Sequence, residues 1–362
     1  MSEPIRVLVV DDSTFMRSAL VRMIEQNPIF KVVDTACNGK EGVEKAQLLK
    51  PDVMTMDVEM PVMTGLEALR EVMKTVKTPV IMVSTLTEAG AKTTMEALEI
   101  GAVDFIPKAL GDKSGNIFRG AEVLHEKLLA VAKIDNVRRA SLQSKVNPKQ
   151  AAVAAMAGPV VKAHVPERKG PLPARVNARI MVIGSSTGGP RALGQVIGSF
   201  PKNLPIPVVV AQHMPAHFTM ALAKRLDETC SVKVVEAAHG MKLEAGTVYI
   251  GPGGLHMRMN GASIEIHEER GESPYKPSVD VLAESARKIF GKQVLAMMLT
   301  GMGNDGTREF VKLRESGAYV LSQDAATSVV YGMPKAVAEA GGVDEVLSLT
   351  DIGPRAARLV GV

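Results

Sequence analysis

Five polar residues in the first 110 positions each follow an apolar run. Asp11 and Asp12 come after IRVLVV (5–10), Asp57 closes DVMTMD (52–57), Ser84 closes PVIMVS (79–84), and Lys108 follows AVDFIP (102–107). Carboxylates brought together repel one another, and a hard divalent cation relieves that repulsion; Mg²⁺, which also binds phosphoryl oxygens, suits such an oxygen site. With the charge offset, one carboxylate can attack a phosphoryl donor while a lysine and a hydroxyl hold the transferred oxygens. Asp at a strand end also serves as a turn or cap residue, but five positions in the right order favour one shared site.

A second set lies in the C-terminal half. GSSTGGP (184–190) follows the run RIMVIG, and its glycines permit a tight turn that exposes the Ser186 hydroxyl beside a helix N-terminus. AQHMPAHF places His213 just after PVVVAQ (207–212), where a base for that serine is needed. His217, His239 and His256 are further candidates that spacing leaves open. LTGMGNDG (299–306) follows QVLAMML, so Asp305 can orient an imidazole and a backbone N–H of the glycine-rich turn can meet a developing oxyanion. The chain order Ser, His, Asp differs from the Ser, Asp, His of α/β-hydrolases, so GxSxG does not indicate that fold. The rival reading makes GSSTGG and GMGNDG phosphate loops of a nucleotide enzyme, and leaves His213 without a task.

These groups need strands to carry them. Near-continuous apolar strands at 5–10, 31–36, 52–57, 79–84 and 102–107, separated by helical patterns such as Ala19, Leu20, Met23 and Ile24, indicate a buried parallel sheet wound on both faces. The same logic covers 178–184, 207–212, 293–299 and 318–323, and HMRMNGASIEIHE (256–268) reads as a β-hairpin around Asn260-Gly261. Both halves are therefore α/β, with functional groups at the carboxyl ends of the strands.

The length of 362 residues suits two domains, and the charge says where they divide. Residues 1–132 hold 15 basic and 19 acidic residues, residues 180–362 hold 18 of each, and residues 133–179 hold 10 basic and 2 acidic. The whole positive excess thus sits in an Ala-, Val- and Pro-rich stretch of linker composition, and does not argue for nucleic acid. Aromatics are 3% with no Trp, which disfavours stacking platforms for single strands. Two cysteines, Cys37 and Cys230, exclude a disulfide framework or a four-thiolate zinc site and fit a reducing cytosol. No signal-peptide core is read at the N-terminus, and no run approaches the ~20 apolar residues of a membrane span.

VVDDS (9–13), MDVEMPVMTGLEAL (56–69), MVST (82–85) and GAVDFIPK (101–108) resemble the receiver domain of two-component response regulators. The resemblance implies a flavodoxin-like five-stranded sheet over residues 1–130, Asp57 as phosphoacceptor, Mg²⁺ near Asp11, Asp12, Asp57 and the Glu59 carbonyl, a Ser84/Phe105 switch pair, and Lys108 on the phosphoryl group. Ala109 stands where receivers usually have proline, and Phe105 where tyrosine is frequent. GSSTGGP, QHMPAHFT, YIGPGGLHM (249–257), LTGMGNDG and SQD (322–324) resemble the catalytic domain of chemotaxis protein-glutamate methylesterases. The layout as a whole, a receiver, a basic linker at 131–178 and a doubly wound, mainly parallel domain at 179–362, is similar to CheB-type response regulators.

That resemblance implies a phosphorylation-activated, cytoplasmic serine hydrolase that demethylates glutamate methyl esters and deamidates glutamines on chemotaxis receptors. Ser186 is the expected nucleophile, His213 the base, Asp305 its orienter, the Met302 N–H the oxyanion donor, and Thr187 a support for the histidine. The ester chemistry is expected to need no cofactor. The partners implied are methyl-accepting receptors as substrate and a histidine kinase as phosphodonor, with the chain a monomer that neither binds nucleic acid nor inserts into a membrane. The alternative is a response regulator whose C-terminal domain binds nucleotide or nucleic acid.

Overall fold

The computed structural model describes residues 3–108, 120–132, 172–268, 273 and 275–362. The peptide bond from Lys108 to Ala109 and the basic stretch 133–171 lie outside the described residues. Two compact units divide in the chain between Val160 and Val161.

In the first unit the runs read as strands form β1 (Ile5–Val10), β2 (Phe30–Ala36), β3 (Val53–Asp57), β4 (Val80–Ser84) and β5 (Asp104–Pro107). They make one parallel sheet in the order β2-β1-β3-β4-β5, the flavodoxin-like arrangement. Alternation along each strand divides its side chains between two helical layers. Val7 and Val9 of β1, with Ile81 and Val83 of β4, pack against Leu20, Met23 and Ile24 of α1 (Thr14–Glu25) and against Leu124, Leu128 and Val131 of the helical residues 120–132. Start signals written in the sequence close the helices. Ser13 Oγ accepts from the Met16 N–H ahead of α1, and Thr64 and Glu67 cap each other's backbone at Gly65–Thr75. The order of strands reverses between β1 and β3, so the crevice opens where Asp11, Asp12 and Asp57 stand.

The second unit is built on seven parallel strands. They are β6 (Ile180–Ser185), β7 (Val208–Gln212), β8 (Lys233–Glu236), β9 (Thr247–Ile250), β12 (Val294–Met298), β13 (Tyr319–Gln323) and β14 (Glu345–Leu347), in the order β14-β13-β12-β6-β7-β9-β8. Every neighbouring pair in this sheet is parallel. The expected hairpin is present as β10 (His256–Asn260) paired antiparallel with β11 (Ser263–His267). Asn260 and Ser263 are partners, so the two turn residues are Gly261 and Ala262, and Gly261 supplies the positive φ of 60° that such a turn needs.

Strands β8, β9 and β14, of three or four residues, escape the sequence pattern because none is long enough to show a run. Residues 173 and 176 are held to one helix of this unit, Leu349–Val360. Arg355 Nη2 donates to the Pro173 carbonyl at 2.9 Å, and the Val176 N–H donates to the Leu359 carbonyl at 2.9 Å. Strand order again reverses at β6, which has β12 on one side and β7 on the other. The loops after those three strands therefore meet in one crevice.

Candidate active site and carboxylate cluster

The crevice of the second unit joins the side chains of His213 and Asp305 and brings the backbone of Ser186 beside them. Parallel register pairs Ser185 with Gln212, and the His213 N–H donates to the Ser185 carbonyl at 3.0 Å, so Ser186 and His213 leave adjacent strands side by side. From the other flank the Ser186 N–H donates to the Thr300 carbonyl at 3.0 Å. His213 Nε2 lies 2.8 Å from Asp305 Oδ2, while the buried Nδ1 has no hydrogen-bond partner. A neutral imidazole with its proton on Nε2 thus keeps the Nδ1 lone pair for a hydroxyl proton.

Asp305 is fixed by a helix start as well as by the imidazole. Ser278, which caps the helix Val279–Phe290, donates its hydroxyl to Oδ1 at 2.9 Å, and the Val279 N–H donates to Oδ2 at 2.7 Å. Burial works against this carboxylate. The His213 hydrogen bond, with those of the Val279 and Asp280 N–H groups, outweighs burial and holds Asp305 below its ordinary value. It stays ionised as the partner of a histidine that must accept a proton.

Two glutamines the sequence reading left unassigned brace the crevice, Gln212 at the turn that carries the serine and Gln323 at the neighbouring loop after β12. Gln212 accepts from Ser185 Oγ at 2.6 Å and donates to the carbonyls of Ser186 at 2.9 Å and His213 at 3.2 Å. Gln323 accepts from the Thr300 N–H at 2.8 Å. Close approach demands glycine here, because a Cβ on Gly301 would stand 2.9 Å from Ser186 Cβ and 2.4 Å from Met333 Sδ. Each glutamine sits at a strand terminus, in AQHMP and SQD, and that position was the available signal.

Of the supporting residues, Met302 is half-buried and no hydrogen bond engages its N–H among the described residues, leaving it available to an oxyanion. Thr187 is tied through its carbonyl to Thr300 Oγ1 at 3.0 Å, and no hydrogen bond links it to His213 among the described residues. The imidazole face is covered instead by Tyr275, whose ring stacks on it with centroids 4.3 Å apart and planes within 1°. His217 and His239 are exposed and His256 is buried in the hairpin, and none of the three hydrogen-bonds Asp305.

In the first unit one ligand oxygen from each of Asp11, Asp12 and Asp57 lies within 4.8 Å of the others. Asp11 Oδ2 is buried with no hydrogen-bond partner, an arrangement that a hard cation would satisfy. Lys108 Nζ reaches Asp57 Oδ2 at 2.6 Å and Asp11 Oδ2 at 3.6 Å. Burial pushes Asp57 up to about 6; the Asp11 charge adds to that, while Lys108 and the Glu59 N–H oppose it. Burial likewise pushes Asp11 up against the pull of Lys108. Ser84 Oγ, buried, lies 2.8 Å from Thr94 Oγ1 and 3.2 Å from the Gly90 carbonyl, both on the helix Glu88–Ile100. Phe105 is buried on β5, with Lys127 Nζ 5.5 Å from its ring centroid, and the Glu59 side chain is exposed.

Comparison with known proteins accounts for both units. Residues 181–356 match the family model described as CheB methylesterase, and residues 7–115 match the response regulator receiver domain. The protein-glutamate methylesterase/protein-glutamine glutaminase 1 of Vibrio vulnificus (strain YJ016) is 42% identical, with 99% of each chain covered. Its counterpart from Oleidesulfovibrio alaskensis is 43% identical over 96% of this chain and 97% of that one. A crystal structure of the Thermotoga maritima CheB methylesterase catalytic domain is 41% identical, covers 50% of this chain and 98% of its own, and gives a TM-score of 0.48.

Proposed function

This chain belongs to the receiver-linked CheB methylesterase family, and from that premise we propose the residues and steps by which it works. It is a protein-glutamate methylesterase and protein-glutamine glutaminase in a two-component chemotaxis system; the alternative of a nucleotide- or nucleic-acid-binding output finds no support in the comparisons. One observation carries the residue assignment: His213 gives Nε2 to an ionised Asp305 and keeps Nδ1 without a partner, beside the strand end that bears Ser186.

Ser186 Oγ attacks the γ-carbonyl carbon of a glutamate methyl ester while His213 Nδ1 takes the hydroxyl proton. The oxyanion so formed is met by the Met302 N–H. His213 returns the proton to the departing methoxide, which leaves as methanol, and an acyl-serine remains. Water then gives a proton to His213 and adds to the acyl carbon. The serine leaves with that proton, and free glutamate is restored. With a glutamine substrate the first leaving group is ammonia, and the second half is identical. Asp305 stabilises the imidazolium in both halves without itself taking a proton.

In the receiver, Asp11, Asp12 and Asp57 would hold Mg²⁺, whose charge offsets that of incoming phosphoryl oxygens when it is bound. Asp57 is the phosphoacceptor, Lys108 binds a phosphoryl oxygen, and Ser84 with Phe105 transmits the change. Methyl-accepting receptors are the substrate and a chemotaxis histidine kinase is the donor, and this chain acts on them from the cytoplasm. Among the described residues no helix is long and apolar enough to cross a membrane.

The test is methanol release from methylated receptor, with and without a small phosphodonor. Ser186→Ala should lower the rate by several orders of magnitude, and Asp57→Asn should abolish the response to the phosphodonor. A near wild-type rate from purified Ser186→Ala would show the nucleophile to be misassigned.

A further inference from the structure

We infer that Tyr275 is a positioning residue for His213, an assignment that rests on His213 being the base. The Nε2 to Asp305 Oδ2 hydrogen bond fixes one point of the imidazole. A single such bond acts as a hinge, because the ring can turn about the line of the bond and swing Nδ1 away from the serine. A second contact, off that line, is needed to set the plane. Tyr275 supplies it by stacking on the face of the ring, at 4.3 Å between centroids and 1° between planes.

The placing of Tyr275 is itself determined. Ser273 Oγ accepts from the Tyr275 N–H at 3.3 Å, a contact local to the turn, and the Gly254 N–H donates to the Lys276 carbonyl at 3.1 Å, which anchors the segment just after the tyrosine. The ring's outer end needs room over the third strand-end loop. Gly303 provides it, since a Cβ there would lie 3.1 Å from the Tyr275 hydroxyl oxygen. Three residues after the tyrosine, Ser278 donates to Asp305. One short segment therefore sets both the plane of the imidazole and the seat of the carboxylate that holds its edge.

The face contact also does something for the chemistry. The imidazole becomes a cation when it takes the serine proton, and an aromatic face attracts a cation through its quadrupole. Tyr275 is thus most favourable to the form of His213 that accompanies the tetrahedral intermediates, so its loss should be read in kcat and not in KM.

The experiment compares full-length Tyr275→Phe, Tyr275→Leu and His213→Gln in methanol release from methylated receptor, with Mg²⁺ and a small phosphodonor present. Tyr275→Phe keeps the flat ring and should stay within about twofold of wild type. Tyr275→Leu should lower kcat about tenfold to a hundredfold, as small misplacements of a catalytic group do, with KM within about twofold. An unchanged kcat in Tyr275→Leu, a loss confined to KM, or an equal loss in Tyr275→Phe would each overturn the inference. If Tyr275→Leu loses its cooperative thermal transition, Tyr275→Met supplies the same comparison of a side chain without a flat face. Full activity in His213→Gln would instead overturn the underlying assignment of the base, so the two failures are told apart.

Discussion

The Ser278 hydroxyl donates to Asp305 Oδ1 at 2.9 Å, so the cap of the helix Val279–Phe290 and the carboxylate behind His213 form one structure. Asp305→Asn keeps the shape but loses the charge that stabilises an imidazolium, and should lower kcat by about 10³–10⁴. Ser278→Ala leaves the two backbone donors in place, so its activity should fall far less, while the lost cap costs about 1 kcal/mol of stability. Steady-state methanol release together with thermal unfolding separates the two. Equal kcat losses in the two variants would contradict the division of roles.

Gln212 spans three backbone or hydroxyl groups around the nucleophile. Gln212→Leu keeps the volume but leaves the fully buried Ser185 hydroxyl without its acceptor. The expected cost is about 1–3 kcal/mol of stability, with a drop in kcat as the Ser186 and His213 carbonyls lose their shared donor. Adding Ser185→Ala should restore much of the stability, because the stranded hydroxyl is then gone, and little of the rate. Urea unfolding of the single and double variants measures the first, and methanol release the second.

Asp57 carries a pH dependence whose sign can be worked out. Its folded value, about 6, lies above the ordinary 3.8, so the native receiver holds more protons than the unfolded chain between those values. Stability therefore falls as pH rises through that window. Asp57→Asn removes the cost, giving a receiver more stable than wild type above about pH 6 by at most roughly 3 kcal/mol, with the gain gone below about pH 4. Lys108 keeps Asp11 as a partner in the variant. Mg²⁺ should reverse the ranking, because a cation bound to the native state stabilises it by mass action. Chemical unfolding at pH 4 and pH 7.5, with and without Mg²⁺, gives all four values. A gain that persists at pH 4 would mean the effect is not electrostatic.

A chain beginning at Leu172 retains the Pro173 and Val176 contacts to Arg355 and Leu359. If the receiver restrains the hydrolase until Asp57 is phosphorylated, this shorter chain should release methanol faster than the unphosphorylated whole and ignore a phosphodonor. A chain beginning at Ile180 loses both contacts and should unfold at a lower temperature. Equal or lower activity from the Leu172 chain would count against restraint.

The acid cluster and the serine site were legible because a buried parallel strand is an apolar run, and the polar residue that ends it is conspicuous. Asp57 after VMTM, His213 after VVVAQ and Asp305 in the loop after VLAMM are found this way. Edge strands such as Lys233–Glu236 and Glu345–Leu347 give no such contrast, being short and partly solvated. Tyr275 and Ser278 stay hidden for another reason. They lie between the hairpin and a helix, not at the end of a sheet strand, and meet His213 and Asp305 only through the fold. Ser278 could have been read as the cap of an amphipathic helix, but nothing local says that a distant carboxylate shares its hydroxyl.

Giving Nε2 to Asp305 leaves serine the ring nitrogen nearer the main chain, two bonds from Cβ instead of three. The base then works on a short lever arm with respect to the Cα–Cβ torsion: an error there displaces Nδ1 less than it displaces Nε2, and the remaining rotation about Cβ–Cγ is the one the Tyr275 face opposes. Accuracy at the serine end is inherited from the backbone of a central strand, and the larger excursions fall at the far nitrogen, where Asp305 is moored by three donors besides the imidazole.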